Sequence, residues 1–132
     1  MHHARFSGDD SILIAGMHLE TIPSGAFTNV ATCEDFSLSN NMLNNINPEA
    51  FSSVTVGRDF FLSGNSLENI ASGGFTSVTV GRDMFLSGNQ MQTLKEDTFS
   101  TLTVGRDFYL NDNQIEKIEP GTFTSLAVGR DL

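Results

Sequence analysis

An Arg-Asp pair recurs at a fixed interval of 24 residues, as Arg58-Asp59, Arg82-Asp83, Arg106-Asp107 and Arg130-Asp131, with Glu34-Asp35 in the corresponding place upstream. A column of carboxylates is chemistry that can hold a hard cation such as calcium. Here each carboxylate from Asp59 onward has a guanidinium beside it and no flanking cluster of acids, so the pattern argues for ion pairs over metal ligation. Such pairs can form a solvated salt-bridge ladder repeating with the fold, or a charged rim that orients an approaching partner. Two residues beyond three of these aspartates stand Phe61, Phe85 and Tyr109, with Leu13 and Ser37 at the equivalent earlier positions. Aromatic residues at one repeated position either shield each other within a sheet or make an adhesive surface for a protein or glycan. For covalent chemistry the only nucleophile and base on offer are Cys33 and His18, because the remaining histidines are His2 and His3 at the start. Cys33 falls where the later copies carry Gly57, Gly81, Gly105 and Gly129, a place expected to lie inside a coil, so a small buried thiol is the expectation. With no phosphate-cradling loop and no serine motif with a partner, the chain reads as a non-enzyme without metal or cofactor.

The elements that position these residues follow from the repeat. Phenylalanine returns at Phe27, Phe51, Phe75, Phe99 and Phe123 without insertion or deletion. Three residues after each comes an aliphatic, and nine and eleven residues after come pairs such as Phe36 and Leu38, Phe60 and Leu62, and Phe108 and Leu110. Alternating apolar residues mark a short strand with one face buried, which turns Phe61, Phe85 and Tyr109 to the other face. Fourteen residues after each of the first four phenylalanines sits Asn41, Asn65, Asn89 or Asn113, just past the strand, where a buried amide can bond the backbone of its own and the adjacent coil. Met17 takes that place in the first coil. A strict period of this length means units that bury their apolar faces only by stacking on each other. The return path, written IPSGAF, INPEAF, IASGGF and IEPGTF, shows no sustained helical period and is expected to be irregular or a tight turn.

Read as L-x-L-x-x-N-x-L-x-x-I followed by Phe, the segments FFLSGNSLENI with Phe75, MFLSGNQMQTL with Phe99 and FYLNDNQIEKI with Phe123 resemble the leucine-rich repeat family in its 24-residue extracellular form. The resemblance covers roughly residues 12–132. It implies a right-handed solenoid of about five and a half coils, with a parallel sheet on the concave side and a phenylalanine spine toward the convex side. It also implies a binding role on that concave face, and an extracellular or cell-surface setting. The departure from the family is V-T-V-G, where glycine stands in place of a core leucine. If that glycine takes a positive φ and kinks the chain, V-T-V becomes a second short strand and the cross-section turns into a β-solenoid instead of a horseshoe.

Sixteen acidic against seven basic side chains give a net charge of -9, which disfavours nucleic acid as a partner. No apolar stretch is long enough to span a bilayer, and MHHARFSGDD is not organised as a signal peptide. At 132 residues the chain is expected to be one solenoid, with residues 1–11 as a lead-in or degenerate coil. The last coil, TFTSLAVGRDL, stops where a strand would start, so the array either continues in a longer protein or is covered by another copy. Two functions therefore stand side by side. One is a binding module presenting Phe61, Phe85 and Tyr109 with the charged column of Arg58, Arg82, Arg106, Asp59, Asp83 and Asp107 to a protein or glycan. The other is a structural protein stacking end to end.

Overall fold

The protein is described by a computed structural model over residues 11–14, 16–123 and 125–131. Apart from Ser11, the expected lead-in at residues 1–11 lies outside the described residues, as do His2 and His3. Each coil contributes three parallel strands. The first holds β1 (Ile12–Leu13), β2 (Thr21–Ile22) and β3 (Phe27–Thr32), and the second β4 (Phe36–Ser37), β5 (Asn45–Ile46) and β6 (Phe51–Val56). The third holds β7 (Phe60–Phe61), β8 (Asn69–Ile70) and β9 (Phe75–Val80), and the fourth β10 (Met84–Phe85), β11 (Thr93–Leu94) and β12 (Phe99–Val104). The last holds β13 (Phe108–Tyr109), β14 (Lys117–Ile118) and β15 (Leu126–Val128). Like strands stack on like, giving a five-stranded sheet β1-β4-β7-β10-β13 and a second one β15-β12-β9-β6-β3, with shorter stacks β2-β5-β8 and β11-β14 on the third side. Every pairing is parallel and offset by one repeat, as in Phe51↔Phe75 and Val54↔Val78. The result is a parallel-strand β-solenoid of about five turns, with no helix among the described residues.

The return path is therefore more regular than its turn residues suggest. In the first four coils a tight turn, at residues 23–25 in the first, leads directly into a strand of six residues, so the third strand of the coil starts at the phenylalanine and is its longest element. Its burial pattern puts Phe27, Val30 and Thr32 inward, as it does Phe51, Val54 and Val56. A regular pleat alternates strictly and cannot turn residues three apart to the same face. The mismatch is absorbed at Asn29, Ser53, Ser77 and Thr101, whose φ values of 57°, 57°, 56° and 58° are left-handed. One such residue is a bulge that re-aims the strand.

The kink thus sits four residues before the place the sequence suggested, since Gly57, Gly81, Gly105 and Gly129 do not adopt a positive φ. Those glycines answer a different demand. A Cβ on Gly81 would run into the carbonyl oxygen of Gly57, one on Gly105 into that of Gly81, and one on Gly57 into that of Cys33. The coils meet backbone to backbone there, with the Gly81 N–H donating to the Val56 carbonyl at 2.8 Å. Cys33 heads this outward-facing column and its side chain is exposed, which corrects the expectation of a buried thiol.

The core is a pair of crossed aromatic rows. Phe27, Phe51, Phe75, Phe99 and Phe123 stack with ring centroids 5.0 to 5.3 Å apart up to Phe99 and 5.4 Å at the last step. Phe36 and Phe60 stack beside them at 5.0 Å and meet the spine edge-on, Phe36 lying 5.1 Å from Phe27 at 72°. Edge-to-face and offset contacts are the preferred aromatic geometries, and Phe51 and Phe75 each meet ring neighbours both within their own coil and in adjacent ones.

Candidate functional site

The sheet β1-β4-β7-β10-β13 turns one residue per strand outward: Leu13, Ser37, Phe61, Phe85 and Tyr109. Cross-strand register brings the three rings into one file. Phe61 and Phe85 stack at 4.9 Å and 4°, and Phe85 and Tyr109 at 4.8 Å and 5°. All three remain half-buried. Because the rings face one another, Phe85 is covered on both faces and offers solvent its edge, whereas the far face of Tyr109 is left uncovered. Beside the file, the Ser63 and Ser87 hydroxyls lie 3.2 Å apart.

The aspartates expected alongside these rings are present, but their carboxylates are turned into the structure. The N–H of each donates to the Oδ1 of the aspartate one coil earlier, Asp59 to Asp35 at 3.1 Å, Asp83 to Asp59 at 3.0 Å, Asp107 to Asp83 at 3.0 Å and Asp131 to Asp107 at 3.2 Å. Asp83 and Asp107 are buried. The column is a backbone-bonding ladder, which explains why every coil writes Asp and why no described residues gather into a metal-holding group.

The arginines pair unevenly. Arg130 grips Asp107 with Nε at 3.2 Å and Nη2 at 2.6 Å, and Arg106 reaches Asp83 at 3.5 Å. Arg58 turns instead to Glu34 at 2.9 Å, and Arg82 makes no ion pair among the described residues. The uniform interlocked ladder expected from the repeat is therefore incomplete. At the first of these positions Glu34 stands where the later copies carry arginine, and Arg58 pairs with it. Arg130's hydrogen bonds hold the Asp107 carboxyl down at about 2, and the Tyr109 hydroxyl, donating at 3.1 Å, adds to the effect. The same bond raises the Tyr109 phenol.

Asn41, Asn65 and Asn89 are buried and Asn113 is half-buried. Asn65 shows the bonding in full. Its Oδ1 accepts the Asn41 and Leu43 N–H groups at 3.1 and 3.2 Å, while its Nδ2 donates to the Leu38 and Leu62 carbonyls at 3.1 and 3.0 Å. One amide thus closes backbone groups in two coils. Met17, which replaces asparagine in the first coil, cannot do this and is exposed, although its N–H still donates to Asn41 Oδ1 at 2.9 Å.

What sequence reasoning missed is at the end of the stack. An open cavity of about 500 Å³ is lined by Phe108, Tyr109, Leu110, Ile115, Ile118 and Phe123, with Asp107, Asn111 and Asp131 at its polar side. Apart from Tyr109, each of these apolar lining residues occupies a column that is buried in the interior coils, so the signal was the position of these residues in the last described coil and not their type.

The strand, asparagine turn and phenylalanine spine define a stacked-coil solenoid. Residues 10–67 match the family model described as leucine rich repeat, and the later coils repeat the same geometry in register, so the solenoid is consistent with a leucine-rich-repeat coil. That fold is generally a protein-binding scaffold and generally non-catalytic. No curated protein and no solved structure matches the chain.

Proposed function

We propose that the chain is a non-catalytic binding module that engages a protein through the face of β7, β10 and β13, with Phe61, Phe85 and Tyr109 as the contact. The observation that carries this reading is the file of three half-exposed rings in a chain whose other outward columns are small or polar. Contiguous aromatic surface of this kind is characteristic of interaction sites, where such side chains supply much of the binding energy. A sugar stacks its flat C–H face on an open ring face. Mutual stacking covers both faces of Phe85 and one face each of Phe61 and Tyr109, so the file offers solvent mainly ring edges, which suit the irregular apolar side chains of a protein partner. The Arg58, Arg82 and Arg106 side chains next to the file supply charge that steers an acidic-patch or mixed-charge surface toward it.

A screen of the folded chain against a displayed peptide library and a glycan array tests the reading, with the Phe61→Ser, Phe85→Ser, Tyr109→Ser chain in parallel. Peptides bound by the wild type and lost with the triple substitution are expected. Binders that survive the triple substitution, or a response confined to glycans, contradict it.

A further inference from the structure

Four of the chain's seven basic side chains stand in one column, Arg58, Arg82, Arg106 and Arg130, although the net charge is -9. The column borders the aromatic file. At the fifth coil a single oxygen, Asp107 Oδ2, takes both Arg130 Nη2 at 2.6 Å and the Tyr109 hydroxyl at 3.1 Å. Strand register repeats that order one and two coils earlier, as Arg106, Asp83 and Phe85 and as Arg82, Asp59 and Phe61. Three of the four guanidiniums have an acid: Arg58 has Glu34, Arg106 has Asp83 and Arg130 has Asp107. Arg82 has none among the described residues. The place one coil earlier, where Arg58 finds Glu34, is filled for Arg82 by Arg58, whose carbonyl takes the Arg82 N–H at 2.9 Å. Asp59, the counterpart of the aspartates that Arg106 and Arg130 reach, is not within ion-pair distance of Arg82. Half-buried between Arg58 and Arg106 in the middle of the stack, Arg82 owes its lack of an acid to the coils on both sides of it. A guanidinium ranked between two of like charge is stabilised by whatever anion reaches it.

We propose, building on the binding role of the file, that Arg82 takes the carboxylate of an aspartate or glutamate from the protein partner that engages Phe61 and Phe85. A carboxylate matches the fork of a guanidinium with two parallel hydrogen bonds. Its single charge fits as well. A doubly charged phosphate has only one unpaired guanidinium to offset the repulsion of Asp59 and Asp83 in the neighbouring column. With the acid seated on Arg82, the residues beside it in the partner's chain lie over the edges of Phe61 and Phe85. The partner segment is therefore an acidic residue next to an apolar one.

Peptides that bind the wild-type chain and are lost with the triple serine substitution provide the test, by calorimetric titration. They are expected to carry Asp or Glu at a fixed distance from an apolar residue. For such a peptide Arg82→Gln weakens binding about tenfold, and so does changing the peptide's acid to its amide. Combining the two changes costs no more than either alone, because both remove the same contact. Arg82→Gln breaks no ion pair among the described residues, so its melting midpoint stays near that of the wild type. Lys117→Gln removes the same charge from an exposed position on β14, on another side of the coil, and leaves affinity unchanged. File-dependent peptides without an acid, losses that add in the double substitution, or an equal loss with Lys117→Gln each overturn the role of Arg82 and leave the binding face standing. Finding no peptide that depends on the file overturns both.

Discussion

One column of the solenoid separates its interior from its last coil. Ile22, Ile46, Ile70 and Leu94 are 0, 1, 3 and 1% exposed, and Ile118, with the same role in the next coil, is 56% exposed. The side chains hardly differ, so the burial is conferred by the neighbouring coil. This is the property of a one-dimensional fold, where stability is a sum of units and nearest-neighbour contacts. It teaches that identical letters in this sequence carry different energies according to the coil they fall in.

The largest effect expected from that difference is at the spine. Phe75→Ala empties a site enclosed by the rings of Phe51, Phe60 and Phe99, and should cost about 3–5 kcal/mol in a denaturant titration. Phe123→Ala, which removes a half-exposed ring whose one ring contact among the described residues is Phe99, should cost clearly less. Equal losses would break the comparison.

Next comes the asparagine ladder. Asn89→Ala leaves the Leu67 N–H and the Leu62 and Leu86 carbonyls short of a partner, for an expected cost of about 1–3 kcal/mol. Asn113→Ala deprives groups that water already reaches on one side, and its thermal midpoint should fall by less. An unchanged midpoint for Asn89→Ala would show that the buried amide contributes nothing.

A gain is expected at the bulge. Thr101 is a β-branched residue held at φ 58°, where the first coil uses Asn29 at 57°. Left-handed backbone disfavours branched side chains and is tolerated by asparagine, so Thr101→Asn should stabilise by about 1 kcal/mol. A loss on substitution would mean that the threonine makes a contact worth more than its strain.

The smallest effect is at low pH. The Asp107 carboxyl, lowered from 3.8 to about 2 by Arg130 first and Tyr109 after it, is depressed in the folded state. Its contribution is fully present above the unfolded value and is lost as pH falls from 3.8 toward 2. Arg130→Ala should move this acid limb upward, as followed by carbon-detected NMR titration of Asp107. An ordinary carboxyl titration in the wild type would contradict the pairing.

The period, the strand carrying Phe61, Phe85 and Tyr109, the asparagine turn and the spine were legible in the sequence because each follows from inward-facing residue types at fixed spacing. The bulge was not, since Asn29, Ser53, Ser77 and Thr101 share no residue type that announces a positive φ, and the more conspicuous Gly81 drew the kink to itself. Its own requirement, a neighbouring carbonyl where a Cβ would be, is a contact between coils that no single repeat records. Asp83 and Asp107 misled for a related reason. Charge suggested a rim, while the repeated need is for an acceptor facing the next coil's N–H. The end cavity was legible only as an interruption of the period, without its lining or depth.

The most direct test of burial by stacking is residue-resolved amide hydrogen exchange. The Leu62 and Leu86 amides, which donate to the next coil at 2.8 and 2.9 Å, should exchange slowly, and the Leu110 amide at the same position in its coil should exchange close to the unprotected rate. Equal protection of all three would contradict the account, because it would mean that a coil holds its strand without a neighbour above it.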